Sequence, residues 1–190
     1  AEYYALGEAE RRALGLPRTD TALYASLNGL LIDALARLAQ VDPEGPWLTS
    51  ARAAAERIER THRRGDAFAH AATDSPDALL HLADQAYMAR GLATLGEASG
   101  DPGWFALAER TLLFAEAQLR DPERGGFFAH TADPSAVGVF AQRQKPLEQN
   151  AVMAELMLEL SQRASDDARR DRALAALRDV AVPAAITRQG

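Results

Sequence analysis

The side chains best suited to chemistry in this 190-residue chain are carboxylates and imidazoles, because the sequence contains no cysteine. Asp84 sits among Leu79, Leu80, Leu82, Tyr87 and Met88, where an ionised carboxylate is costly unless a partner holds it. Glu148 follows Pro146 in what reads as the first turn of a helix, where the helix dipole stabilises negative charge. Together they form the candidate acid/base pair, since glycoside hydrolysis commonly needs two carboxyl groups about 5 to 9.5 Å apart. A structural role competes at each: Asp84 can accept hydrogen bonds from Tyr24, Asn28 or a nearby loop, and Glu148 can simply complement its helix end. Histidines offer other chemistry, because two imidazoles titrating near neutrality can move a proton off and back onto carbon. His70 and His130 occupy equivalent places in two similar segments, and His81 lies one helical turn before Gln85. The plainer reading has His70 and His130 closing two turns through backbone hydrogen bonds. His62, in an Arg-rich stretch, reads as a surface residue.

Around these candidates stand residues suited to holding a ligand. Arg143 and Lys145 can bind a carboxylate or phosphate, although pairing with Glu148 is the simpler account. Tyr24 and Phe127 can stack on a sugar ring or fill the core. Asn28 and Asn150, with Asp84, fall early on successive helices and so gather at one end of a stacked array. No histidine spacing matches a metal site, and no phosphate-binding glycine loop or nucleophile elbow is present, so neither a metal nor a cofactor is expected.

Helical periodicity must position these residues, and it predicts six helices. The first runs from Ser26, its expected N-cap, to Gln40, with Leu27, Leu31, Leu35 and Leu38 on one face. A two-faced helix follows from Pro46 to Arg63, and an apolar one from Pro76 to Ser99 that must be buried on several sides. Asp101 and Pro102 open the fourth, Pro146 the fifth, and Ser165 the sixth, whose charges from Asp166 to Arg172 read as a solvated face. Gly65-Asp66-Ala67-Phe68-Ala69-His70 and Gly125-Gly126-Phe127-Phe128-Ala129-His130 repeat weakly, each after the second helix of a hairpin. They are expected to form short β connections that pair with one another. The array is thus all-α, three helical hairpins in one domain over 1–190 behind a lead-in segment over 1–22.

Composition narrows the function. A net charge of -6, with 20 of the 21 basic residues arginine and interleaved with acids, argues against a nucleic-acid partner. No stretch approaches the ~20 apolar residues of a membrane span, so no membrane association and a cytoplasmic location are expected. Without cysteine, redox chemistry cannot reside in these residues.

An ordered set of segments resembles the helical part of the thioredoxin-domain-containing, spermatogenesis-associated family. Pro17-Arg18-Thr19-Asp20, Leu23-Tyr24 and Asn28-Gly29-Leu30 match its opening segment. Leu82-Ala83-Asp84-Gln85-Ala86-Tyr87, Ala98-Ser99-Gly100-Asp101, Asp121 with Gly125-Gly126-Phe127-Phe128, and Arg143 through Lys145-Pro146-Leu147-Glu148 to Asn150 match later ones in order. Ser26 and Leu27 stand where that family has an Asp-Trp pair, removing a carboxylate and a stacking ring, and the thioredoxin portion has no counterpart here. The resemblance implies half of an (α/α)6 toroid of the six-hairpin glycosidase type. It also implies a pocket for a carbohydrate-like or small polyhydroxylated ligand at the ends of the inner helices, lined by Tyr24, Asn28, Asp84, Phe127, Arg143, Lys145, Glu148 and Asn150. Two other readings stand beside it: an interaction module docking a thioredoxin-like domain or a second subunit, and an active glycosidase or sugar epimerase. Half a toroid leaves apolar flanks open, so the chain is expected to be part of a longer protein or to form a homo-oligomer.

Overall fold

A computed structural model describes residues 2–15 and 20–180; Pro17, Arg18 and Thr19 of the family-like opening segment, and part of the 1–22 lead-in, lie outside the described residues. Two short helices, α1 (Glu2–Ala5) and α2 (Glu8–Leu14), precede three hairpins. These are α3 (Ala25–Val41) with α4 (Trp47–His62), α5 (Leu82–Ser99) with α6 (Pro102–Gln118), and α7 (Leu147–Ala164) with α8 (Asp167–Val180). The three leading helices α3, α5 and α7 form the inner layer, with α5 packed between the other two. No described helix is long and apolar enough to cross a membrane.

The hairpin of α5 and α6 turns where the sequence asks it to: Gly100 takes the left-handed conformation (φ 67°) and Asp101 accepts from the Gly103 N–H at 2.9 Å. Three helix starts differ from expectation, the sixth because Ser165 takes the left-handed conformation that ends α7 (φ 54°), so that α8 begins at Asp167. α5 begins at Leu82 rather than Pro76, because the chain before it is drawn into extended pairing: Thr131 N–H donates to Leu80 O and Leu82 N–H to Ala129 O. α3 is capped by Tyr24 rather than Ser26, since the Ser26 N–H is already taken by Asp84 Oδ1 at 2.9 Å.

Small residues set the closest approach in the molecule. On α3 the buried face is Ala25, Ser26, Gly29, Ile32 and Ala36, not the leucine face. A Cβ on Gly29 would stand 2.5 Å from the Tyr87 carbonyl carbon, and one on Gly91 2.5 Å from Gly29 O, so the α3 and α5 backbones touch directly. Leu27, Leu30, Leu31 and Leu38 are left exposed.

The connections form β structure, but each pairs with itself instead of with its equivalent. β1 (Arg63–Arg64) pairs antiparallel with β2 (Ala67–Phe68) around Gly65, and Arg120 bridges Phe127 around Gly125 and Gly126. Between hairpins the bridges are Tyr24 to Ala71 and His81 to His130. Carboxamides fix these connections. The fourth residue of each inner helix donates to the carbonyl four residues back: Asn28 to Tyr24 (2.8 Å), Gln85 to His81 (3.0 Å), Asn150 to Pro146 (2.8 Å). Gln85 also takes both backbone groups of buried Phe68, and Asn150 both of Phe127, at 2.7 to 2.9 Å.

Two further expectations change. His62 is fully buried, bonded to Thr61 Oγ1 and Leu23 O, because the end of α4 turns under the chain entering α3. The α8 charge run is only partly solvated: Arg169 is buried against Glu109 and Arg172 meets Glu116, so that α8 reaches α6 through its arginines.

Candidate functional site

The extended connections converge at the N-terminal ends of the inner helices, and there three imidazoles line up. His70 and His81 rings lie 5.8 Å apart edge to face, and His81 and His130 6.3 Å apart. A cleft of about 340 Å³ opens beside them, lined by His70, His81, Ala83, Ala129, Pro146 and Gln149.

Asp84 organises this end. It is fully buried in the third position of α5, Oδ1 accepts from the Ser26 N–H, and both oxygens lie 3.1 Å from His70 Nδ1. A carboxylate accepts, so His70 donates from Nδ1, and among the described residues its Nε2 meets no hydrogen-bond partner. His70 is half-buried and stacks on the Tyr24 ring at 4.5 Å, which holds the imidazole plane. The Tyr24 hydroxyl donates to Asp20; that bond raises the Tyr24 phenol and lowers the Asp20 carboxyl from their ordinary values. His130 donates from Nδ1 to Thr131 O at 2.7 Å, again leaving Nε2 as acceptor. His81 is pushed below the usual imidazole value, first by crowding of its ring away from water, with His70 and His130 adding to the effect and Asp84 opposing it.

Glu148 lies next to the cleft residue Gln149. It accepts from the Tyr87 hydroxyl at 2.6 Å, while Gln149 Nε2 donates to the same hydroxyl at 3.1 Å. Burial and the Glu148 carboxylate raise the Tyr87 phenol. Glu148 therefore pairs with a tyrosine, not with Arg143 or Lys145. Arg143 stacks over Phe128 at 3.9 Å and donates to His130 O, supporting the histidine row from beneath. Lys145 joins Asp121 (2.8 Å), Asp179 (2.6 Å) and Gly125 O, locking the connection after α6 to the end of α8.

The eight ligand candidates are thus distributed unevenly. Tyr24 and Asp84 meet at the cleft through His70, Asn28 in the first turn of α3 donates to Tyr24 O, and Glu148 borders the cleft through Gln149. Arg143 acts through His130; Lys145 lies in its ion network, and Phe127 and Asn150 are buried and bonded to each other. Gln149 and Tyr87 were not singled out by sequence. The available signal for Gln149 was its place between Glu148 and Asn150 in the first turn of α7. Among the described residues no cluster of three or more histidines and acids is arranged to hold a metal ion.

No protein-family model and no curated relative matches the chain. Solved structures match its fold strongly. Cellobiose 2-epimerase from Spirochaeta thermophila is similar at a TM-score of 0.68 and 17% identity, covering 82% of this chain and 42% of its own. A GH76 alpha-mannanase from Bacteroides thetaiotaomicron gives 0.70 and 14%, covering 85% and 45%. D-mannose isomerase gives 0.66 and 13%, covering 84% and 43%. The fold is half of an (α/α)6 toroid. The chain spans less than half the length of each of these three proteins.

Proposed function

We propose that the histidine-lined cleft binds a neutral, carbohydrate-like or polyhydroxylated small molecule. The observation that carries this reading is the His70 side chain, fixed by buried Asp84 and the Tyr24 ring with Nε2 left to accept from a ligand. His81 puts a second imidazole on the cleft wall, and Gln149 a carboxamide that can both donate and accept, groups that sugar hydroxyls can meet. The names of the similar structures, an epimerase, a mannanase and a mannose isomerase, support the ligand class by analogy of fold. The family-like segments extend the reading to a helical relative of thioredoxin-domain-containing proteins, in which these cysteine-free residues bind a ligand and carry no thiol chemistry themselves.

Histidine ring NMR during titration with a panel of mono- and oligosaccharides tests it. Saturable shifts of the His70 and His81 ring signals are expected, with the His81 shift lost in His70→Ala. A panel that leaves both rings unmoved would remove the proposal. The second reading, an interaction module, is favoured by the exposed leucines of α3. It predicts shifts on adding a protein partner and none with sugars.

A further inference from the structure

We propose that Gln149 selects the ligand of the histidine-lined cleft. The Tyr87 hydroxyl turns its carboxamide so that Oε1 is a fixed acceptor, and the ligand donates from two hydroxyls, one to Gln149 Oε1 and one to His70 Nε2. This rests on the sugar-binding reading of the cleft and narrows it to one pattern of hydroxyl groups.

Proton counting fixes the orientation of the carboxamide. A phenol hydroxyl has one proton, and Tyr87 gives it to the Glu148 carboxylate at 2.6 Å. The Tyr87 oxygen keeps only lone pairs on its other side, so Gln149 Nε2, 3.1 Å away, is the donor there. Turning the carboxamide over would set Oε1 against that oxygen, acceptor facing acceptor, and lose the hydrogen bond. Tyr87 is held in place, because it is buried on α5, while Glu148 and Gln149 follow one another in the first turn of α7. The contact between the second and third hairpins thereby sets the polarity of one wall of the cleft.

Among the described residues no donor meets Gln149 Oε1, and its side chain lines the cleft. His70 lines the same cleft and is fixed with the same sign: Nδ1 is turned to Asp84, and the Tyr24 ring holds the imidazole plane. Two other lining residues cannot supply the missing donors, since the Ala129 N–H is given to Gln144 O and Pro146 has no N–H. Each fixed acceptor is therefore to be met by a donor on the ligand. An ether oxygen or a fluorine at the same point brings none, and a site built to hydrogen-bond a hydroxyl rejects the analogue that lacks it, because its own polar group is then left unpaired.

D-glucose and D-mannose, each with its series of monodeoxyfluoro analogues, are the probes, because fluorine keeps nearly the size of a hydroxyl and cannot donate. NMR titration of the full chain should find two ring positions at which fluorine weakens binding by about tenfold, and the others tolerant. In Tyr87→Phe the carboxamide is free to turn, so one of the two positions should become tolerant while the other stays sensitive. Gln149→Leu should weaken the parent hexose by about tenfold and abolish sensitivity at that same position. A second measurement needs no ligand: the Gln149 side-chain amide signals should shift in Tyr87→Phe, and ring nitrogen spectra should place the neutral His70 proton on Nδ1. Hexoses bound with no fluorine-sensitive position, a sensitivity pattern unchanged in Tyr87→Phe, unmoved Gln149 amide signals, or a His70 proton on Nε2 would each overturn the inference and leave the sugar-binding reading standing. Silence toward both hexoses also overturns it, and silence toward the wider sugar panel removes the underlying reading as well.

Discussion

At the scale of single residues the site turns on one buried carboxylate. Asp84 accepts from a backbone N–H and an imidazole N–H, so replacing it with Asn puts an amide where two donors already point. One contact must become donor against donor, or His70 must change tautomer, exposing the mismatch in a dry setting. Asp84→Asn should cost about 1–3 kcal/mol in urea unfolding and abolish the sugar-induced His70 shifts. A variant as stable as wild type with unchanged shifts would show that Asp84 does not orient His70. His81 makes a pH prediction. Its folded value lies below the ordinary one, so the unfolded chain binds more protons; the stability it contributes is complete above about pH 6.5 and is lost as pH falls through the folded value. Melting temperature should decline on acidification across that window, and less so in His81→Gln. The need for a partner at Asp84 was legible from its apolar neighbours. The identity of the partners was not, because Ser26 and His70 are brought to it by tertiary packing from 58 and 14 residues away.

At the scale of elements, helix periods and the Asp101-Pro102 start could be read directly, since they depend on local chemistry. The face of α3 could not. Leu27, Leu31 and Leu38 share a helical face, yet packing with α5 is won by Gly29 and Ala36, because only small residues allow backbone contact. Gly29→Ala tests this: its methyl would meet Tyr87 and Met88 backbone atoms within 2.6 Å, and no rotamer change can relieve a clash with backbone. The expected loss is at least about 1–3 kcal/mol by chemical denaturation, and a neutral result would mean that the helices are not in contact there. The connections show the same limit. Their glycines and aromatics advertised extended segments, but the Gln85 and Asn150 carboxamides that hold Phe68 and Phe127 in place are polar residues inside apolar helices, with partners 17 and 23 residues distant.

Across the whole molecule the three hairpins are joined in two different ways. The first docks on the second through the glycine crossing and a shared apolar core. The third shares that core through Met153, Leu156, Met157 and Leu160, but its contacts with the second also run through charges. Arg90 meets Glu155 at 2.7 Å and Arg163 meets Glu97 between α5 and α7; Arg172 meets Glu116 at 2.6 Å and Arg169 meets Glu109 between α6 and α8. Several of these groups are open to solvent, Glu155 at 64%, and so are screened by salt, whereas contact between bare backbones is not. Local opening should follow this division. In native-state hydrogen exchange, α7 and α8 should open at lower free energy than α3 and α5, and raising sodium chloride to about 0.5 M should widen the gap. Equal protection of all three hairpins, or a uniform response to salt, would mean that the array opens as one cooperative unit despite its unequal joints.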